Sequence, residues 1–304
     1  MAGGAGTRFR PLTCNVPKPM MPVFDKPVME YSLNLLKQYG IRDIAVTLQY
    51  LPGAVQDYFQ SGAEMDLNIR YFIEDTPLGT AGSVKNAEEF LDETFIVISG
   101  DALTDFSLDE AIEFHRSRGA LATLVLTRVE SPLEYGLVLT NREGGITRFL
   151  EKPSWGEVFS DTVNTGIYIL EPEVLHYVKL ATQFDFSRDL FPYLLEHKKA
   201  LFGCVLQGYW CDIGNCHQYR QVHFDILNGL VRLELPGERK GNVVIGSGSH
   251  IAPRVRLEGP LYIGPNSYIS SGARILPYTV LGEGSMVETN ASLKRTVVGQ
   301  GCLI

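Results

Sequence analysis

The 304-residue chain has little of what would staple or metallate a small fold. Its five cysteines, Cys14, Cys204, Cys211, Cys216 and Cys302, are odd in number and scattered, with no C-x-x-C pair. Neither a disulfide framework nor a zinc site is expected, and a reducing cytoplasm suits the chain best. The six histidines have no motif around them, so Ser-His-Asp or Cys-His chemistry lacks support. No apolar run approaches the roughly 20 residues of a membrane-spanning helix, and the first six residues lack the basic-then-apolar order of a secretory signal. Positive charge is also short. The 27 Lys and Arg against 35 Asp and Glu leave a net charge of −8, the wrong sign for non-specific binding to nucleic acid or an anionic membrane. A polyphosphate ligand would need local cations and a metal ion. What the chain does have is apolar mass, 45% of its residues, enough for a sizeable core, and a length that suits about two domains.

The last quarter is repetitive. Counting by six from Ile245 reaches Ile251, Leu257, Ile263, Ile269, Ile275, Leu281, Val287 and Leu293, nine aliphatic residues in nine positions, before the register fails at Gly299. Four residues after each falls a second column, Ser249, Val255, Leu261, Ser267, Ala273, Thr279, Ser285, Ala291 and Val297, small or aliphatic throughout. Two columns at period six, broken by Gly246, Pro253, Gly264, Pro265, Pro277 and Gly282, fit neither a helix nor a plain strand. The pattern resembles the hexapeptide repeat of left-handed parallel β-helices. In that architecture three hexapeptides complete a triangular coil, the aliphatic column fills a narrow core and the small residues fit the corners. About three coils are expected over residues 243–304.

Residues 1–234 follow another pattern. Short apolar or β-branched runs at 44–48, 69–73, 95–99 and 122–126 read as buried strands, and 28–39, 52–59, 80–91 and 107–118 read as helices between them. The expected fold is α/β, a Rossmann-like, mainly parallel sheet with helices on both faces and its ligand at the carboxyl ends of the strands. The polar, Pro- and Gly-containing stretch 235–242 reads as the linker between the two parts.

The opening Gly3-Gly4-Ala5-Gly6-Thr7-Arg8 is a glycine-rich loop that can bring several backbone N–H groups to a phosphate. It is neither a Walker A loop, which ends in Gly-Lys-Ser/Thr, nor the dinucleotide fingerprint, since Phe9 stands where the third glycine belongs. A tight turn uses the same residues. Pro17 and Pro19 then bracket Lys18 and hold one ammonium in place, although a surface lysine in a stiff loop has the same signature. Asp101 lies just past the end of an expected strand, where an oxygen ligand for Mg²⁺ would stand, or where it could cap a helix. Asp212, beside Trp210, reads on its own as the acceptor of a buried hydrogen bond.

Gly3-Gly4-x-Gly6-Thr7-Arg8-x-Arg10-Pro11-Leu12-Thr13 with Pro17-Lys18-Pro19-Met20 resembles the signature of sugar-1-phosphate nucleotidyltransferases, the nucleotide-sugar pyrophosphorylases. Further matches follow in the family's order at Pro77-Leu78-Gly79-Thr80-Ala81-Gly82, Gly100-Asp101, Tyr135-Gly136, Glu151-Lys152-Pro153, Asn164-Thr165-Gly166 and Trp210-Cys211-Asp212-Ile213-Gly214. With its hexapeptide tail the chain is most similar to mannose-1-phosphate guanylyltransferase-like members. The resemblance implies Mg²⁺-assisted transfer of a nucleotidyl group from a nucleoside triphosphate, GTP first, to a sugar 1-phosphate, mannose 1-phosphate first. Adenylyl, uridylyl or thymidylyl transfer to glucose 1-phosphate is the alternative. By the same resemblance Asp101 and Asp212 bind the metal, while Arg8 and Lys18 contact the triphosphate and the developing pyrophosphate charge. Gly3, Gly4, Gly6, Thr7, Pro77, Gly79 and Thr80 would hold the nucleotide. Lys152 with Glu151 would face the sugar phosphate and hydroxyls, and Gly136, Asn164 and Gly166 would line the sugar pocket. An ordinary strand-end pair is the competing reading of Glu151 and Lys152.

Such a reaction needs no general base, because a phosphate monoester loses its second proton near pKa ~6. The work is to align two anions that repel and to stabilise charge on the α-phosphate and the departing pyrophosphate. Guanine offers adjacent N1–H and N2–H₂ donors, which suit an acceptor-only carboxylate, so Glu74 is expected to read guanine. Uracil, thymine and adenine present a donor beside an acceptor, which suits Gln or Asn. Glu74 and Asp75 as solvated loop charges is the rival account.

The resemblance also implies a short apolar strand ahead of Gly3, of which Met1 and Ala2 are almost all that is present. Both ends read as incomplete, with sheet edges uncovered and the phosphate loop loosened at one and the last coil uncapped at the other. Two further classes stay open. One is a regulatory subunit that binds a sugar nucleotide without turnover. The other is a hexapeptide acyltransferase, which needs a histidine between coils, and His250 is the only one in the repeat. Homo-oligomerisation through the flat sides of the coils is the expected role of the tail.

Overall fold

The computed structural model describes residues 1–4 and 6–304. Helix α1 (Val28–Gln38) starts directly after Pro27 and turns Val28, Met29, Leu33 and Leu36 inward. There follow β1 (Asp43–Leu48), α2 (Pro52–Phe59), β2 (Asn68–Ile73), α3 (Gly79–Lys85), β3 (Phe95–Val97) and β4 (Ala102–Thr104). Helix α4 (Leu108–Arg118) stops where Gly119 turns left-handed at φ 54°. Strand β5 (Ala122–Arg128) buries every residue from Ala122 to Thr127, the mark of a strand covered on both faces. After it come β6 (Gly136–Thr140), β7 (Ile146–Glu151), β8 (Thr162–Leu170), α5 (Phe191–Glu196), β9 (Leu201–Val205), β10 (Trp210–Asp212) and α6 (Cys216–Leu227). The Asn215 side chain caps α6, accepting from the N–H groups of His217 at 2.9 Å and Gln218 at 3.0 Å.

The α/β character is as expected. Strands β1 and β2 pair in parallel, as do β5 and β9. Strand β8 departs from the expected grain, running antiparallel to β3, β5 and β6 in a sheet ordered β9-β5-β8-β6-β7, with β3 also on β8. Between Arg128 and Thr162 the chain forms no α-helix, so β6, β7 and β8 lack the crossovers that parallel neighbours require.

Met1 and Ala2 form a rung between β1 and β3. The Ala2 N–H donates to Thr47 O at 3.0 Å, the Met1 ammonium to Ile98 O at 2.9 Å, and the Gly100 N–H to Met1 O at 2.8 Å, which is the bonding of a parallel strand. Past this rung the facing edges of β1 and β3 do not pair with each other. They bound a slot of about 470 Å³ walled by Met29, Leu33, Leu36, Val84 and Ile112. Burial first of all pushes the pKa of the Met1 ammonium at its end down to about 6.

The hexapeptide tail forms a three-sided parallel helix of strands. Val243–Ile245, Leu261–Ile263 and Thr279–Leu281 stack on one side, His250–Ile251, Tyr268–Ile269 and Met286–Val287 on the second, and Arg256–Leu257, Arg274–Ile275 and Ser292–Leu293 on the third. Partners sit 18 residues apart, as Val243 with Leu261, until the last coil, where Val280 meets Val297 only 17 residues on. That shortened coil explains why the period-six register fails at Gly299. The aliphatic column is the core, with Ile263, Ile269, Ile275 and Leu281 fully buried, and Ser267, Thr279 and Ser285 are buried beside it. Stretch 235–242 is not a plain linker. Glu238–Lys240 pairs antiparallel with Val243–Ile245 and covers the open edge of the first coil.

The two parts share one core. Val244, Tyr262 and Val280 point out of the coil onto Phe24, Val28, Tyr219 and Ile226. The Phe24 and Tyr262 rings meet edge to face at 5.0 Å, and the Tyr262 hydroxyl donates to Asp25.

Candidate active site

Asp101 follows β3 and Asp212 ends β10, and the β4–β10 ladder sets Asp212 opposite Ala102. The Ile213 N–H donates to Asp101 O at 3.1 Å, so the two carboxylates stand on neighbouring rungs. Lys18, in a tight turn between Pro17 and Met20, enters from the other side, only 8% exposed. Its Nζ bonds the Asp101 carboxylate and lies 3.2 Å from Asp212 Oδ1, and the Ser99 hydroxyl donates to Asp101. Neither the surface reading of Lys18 nor the helix-cap reading of Asp101 survives, since the next element after Asp101 is strand β4.

Electrostatics divides the two carboxylates. Burial works against the charge on Asp101, but the Lys18 ammonium and the bonds from Lys18 and Ser99 outweigh it and hold its pKa below the ordinary carboxylate value. Burial, then the charge on Asp101, push Asp212 up. For Lys18 burial is likewise outweighed, here by Asp101 and Asp212, and its pKa is raised. Arg8 is exposed at the rim, its Nη2 3.7 Å from where a Cβ on Gly214 would lie. Two carboxylates gathered on one cation are the donors a Mg²⁺ ion takes when substrate phosphates and water complete its shell, so these residues fit the metal. Among the described residues no group of three or more His, Cys, Asp or Glu forms an all-protein metal cage.

Beside these charges opens a cleft of about 380 Å³. Gly3, Gly4, Lys18 and Asp101 line one part, and Glu74, Pro77, Gly79 and Thr80 another. Gly79 must be glycine, because its φ is +70° and a Cβ would fall 2.8 Å from Phe184 O. Gly6 is left-handed at φ +58° and backs onto Thr13 and Lys18, behind the cleft wall, with Thr7 exposed beside it. Sequence reasoning missed four lining residues, Gln49, Ser83, Ser99 and Asp185. Asp185 Oδ1 accepts from both the N–H and the hydroxyl of Thr80 at 3.1 Å and ties that loop to the chain after Phe184. Glu74 is buried rather than solvated, while Asp75 is exposed. The Glu74 carboxylate accepts from the Ser83 hydroxyl and from the Leu78 N–H at 3.1 Å.

The expected sugar-phosphate residues gather on β6, β7 and β8. Gly136 pairs with Glu151, and a Cβ on Gly136 would sit 2.7 Å from Glu151 Oε2. Burial raises the Glu151 pKa against the opposing charges of Lys152 and Arg188. Lys152 is exposed and left-handed at φ 47°, with its N–H on Tyr135 O at 3.2 Å. The Asn164 amide donates to Tyr168 Oη at 3.0 Å and Ser187 Oγ at 3.3 Å, and its oxygen accepts from the Gly166 N–H at 3.1 Å. Trp210 Nε1 donates to Thr165 O at 3.0 Å, which ties this group to the strand that carries Asp212.

A profile of the family described as nucleotidyl transferase matches residues 1–229, about three quarters of the chain. The chain belongs to that family. Among its relatives, UTP–glucose-1-phosphate uridylyltransferase of Synechocystis is 35% identical, covering 98% of this chain and 81% of that one. Mannose-1-phosphate guanylyltransferase of Mycobacterium tuberculosis is 31% identical over 97% of this chain and 82% of its own length. A Bacillus anthracis protein provisionally named a glucose-1-phosphate thymidylyltransferase has a crystal structure that superposes with a TM-score of 0.68 at 25% identity, covering 78% of this nucleotidyl transferase and 95% of that chain.

Proposed function

We propose that the protein transfers a nucleotidyl group from a nucleoside triphosphate to a sugar 1-phosphate, releasing pyrophosphate and a nucleoside diphosphate sugar. The observation that carries this reading is the convergence of Lys18, Asp101 and Asp212 at the edge of the Gly3–Gly4 cleft. A site for two mutually repelling phosphates needs a fixed cation and a carboxylate pair able to hold another. Mg²⁺ bound by Asp101 and Asp212 would neutralise phosphate charge. Lys18 and Arg8 supply positive charge toward the α-phosphate and the leaving pyrophosphate. Gly3, Gly4 and Gly79 offer backbone N–H donors to the nucleotide, and Thr80 lines the same wall. Glu151, Lys152 and Asn164 orient the sugar phosphate, whose dianion attacks without a general base.

The first substrate pair is GTP with mannose 1-phosphate, on the strength of the mannose-1-phosphate guanylyltransferase among the relatives. UTP with glucose 1-phosphate is the second reading, favoured by the two bonds that already occupy Glu74 and by the Synechocystis relative. The tail reads as a left-handed β-helix that serves self-association, in a cytoplasmic enzyme. No helix among the described residues is long and apolar enough to cross a membrane. Pyrophosphate release, measured with four nucleoside triphosphates against three hexose 1-phosphates and Mg²⁺, tests the reading. Release with one pair and none without sugar phosphate is expected. Tight product binding with no release from any pair would mark a regulatory subunit instead.

A further inference from the structure

We infer that Gln49, not Glu74, reads the edge of the nucleobase, and that Glu74 braces the loop that covers it. The inference rests on the nucleotidyl-transfer reading of this cleft and specifies how one part of the cleft works.

Gln49 follows β1 and Glu74 follows β2, and these strands pair in parallel, so the two side chains emerge side by side. Both flank Gly3. A Cβ placed on Gly3 would lie 3.3 Å from Gln49 Cβ and 3.7 Å from Glu74 Oε1, while one on Gly4 would meet nothing within 4 Å. The bare Gly3–Gly4 backbone therefore leaves a flat space next to both side chains, whereas Lys18 and Asp101 gather the charge that suits phosphates.

The two candidates differ in what they have left to offer. Each Glu74 oxygen already accepts a bond from the protein, one from Ser83 and one from Leu78, and the residue is 7% exposed. Those bonds fasten the chain between Glu74 and Ser83, the segment that carries Pro77, Gly79 and Thr80. Gln49 is half-buried in the same cleft, and its carboxamide has no protein partner among the described residues. It presents a donor beside an acceptor, complementary to N3–H and O4 of uracil or thymine and to N1–H and O6 of guanine. The ligand class is a nucleotide whose base carries such an N–H beside a C=O. Methylating that ring nitrogen removes the donor and inserts a methyl group into the contact.

Calorimetric binding of UTP, N3-methyl-UTP, GTP and N1-methyl-GTP to the full chain tests this without requiring turnover. For whichever parent nucleotide binds more tightly, methylation should weaken binding to the wild type by about tenfold or more. Gln49→Ala should bind that parent about tenfold more weakly and no longer distinguish it from its methylated form. In Glu74→Gln the methylation penalty should persist. The inference is overturned if Gln49→Ala keeps the wild-type affinity or the methylation penalty, if Glu74→Gln alone abolishes that penalty, or if the wild type binds none of the four or ignores methylation. Pyrophosphate release by the wild type reports separately on the transfer reaction, so the two readings can fail independently.

Discussion

Without the Lys18 ammonium, Asp101 and Asp212 would face one another in a mostly buried site with no cation between them. Lys18→Met should therefore cost activity and stability together. We expect pyrophosphate release to fall about 10²- to 10³-fold and unfolding in urea to weaken by about 1–3 kcal/mol, allowing for the partial exposure of the aspartates. Adding Asp212→Asn should restore much of the stability and none of the activity. Equal losses in the single and double variants would show that the charges are not coupled. His223 makes a separate prediction about pH. Its Nε2 accepts from the Phe24 N–H at 3.1 Å, its Nδ1 contacts Tyr219 O at 2.8 Å, and burial pushes its pKa down to about 4. Because that is below the unfolded value of about 6.5, the unfolded chain takes up the proton first, and stability falls as pH drops from about 6.5 toward 4, by up to about 3 kcal/mol. Melting temperatures of the wild type and His223→Gln across this range should converge on a flatter profile for the variant. At this scale prolines announce Lys18 and a strand end announces Asp101, whereas Asp212 stands out only through the family's Trp-x-Asp motif. Gln49 and Asp185 carry no local signature, and they matter only because a parallel ladder and a distant turn bring them to the cleft.

The split between β1 and β3 makes the next prediction one about elements. These facing, parallel edges, with apolar side chains above and below, should accept a strand running into Met1. Fusing four β-branched residues ahead of Met1 should pair Ala45–Thr47 and Ile96–Ile98, remove the buried ammonium and raise the melting temperature by about 2–6 °C. Hydrogen exchange at those amides checks it, and unchanged protection would mean that the slot does not take a strand. The elements themselves were largely readable. α2 has the expected bounds, and α1, α4 and β5 differ from expectation only at their ends. The direction of β8 was not readable, because a β-branched run looks the same in either orientation and direction depends on whether a helix precedes it. Glu238–Lys240 escaped notice as a strand because all three residues are exposed and show no alternation.

For the molecule as a whole, the shared core implies one cooperative unit rather than a catalytic part with a detachable tail. Both tryptophans, Trp155 and Trp210, lie before the coils, so their fluorescence follows the first part, while far-UV circular dichroism follows both. The two signals should coincide in a urea titration of the wild type. Tyr262→Ala, which empties a fully buried ring position, should destabilise by about 3–5 kcal/mol and separate them. Coincident curves in the variant would show that the contact is incidental. The change of period near residue 243 coincides with the first parallel rung of the coils, Val243 with Leu261. The contact between the two parts was not legible, because Tyr262 lies between the inward columns and nothing in the repeat says what its outer face meets. The cluster that receives Tyr262 also contains Phe9, Met21 and Ile213, next in sequence to Arg8, the Lys18 turn and Asp212. The stacked coils thus underlie the site. A load applied to them passes through this shared packing and the Tyr262–Asp25 hydrogen bond into the backbone next to Arg8, Lys18 and Asp212.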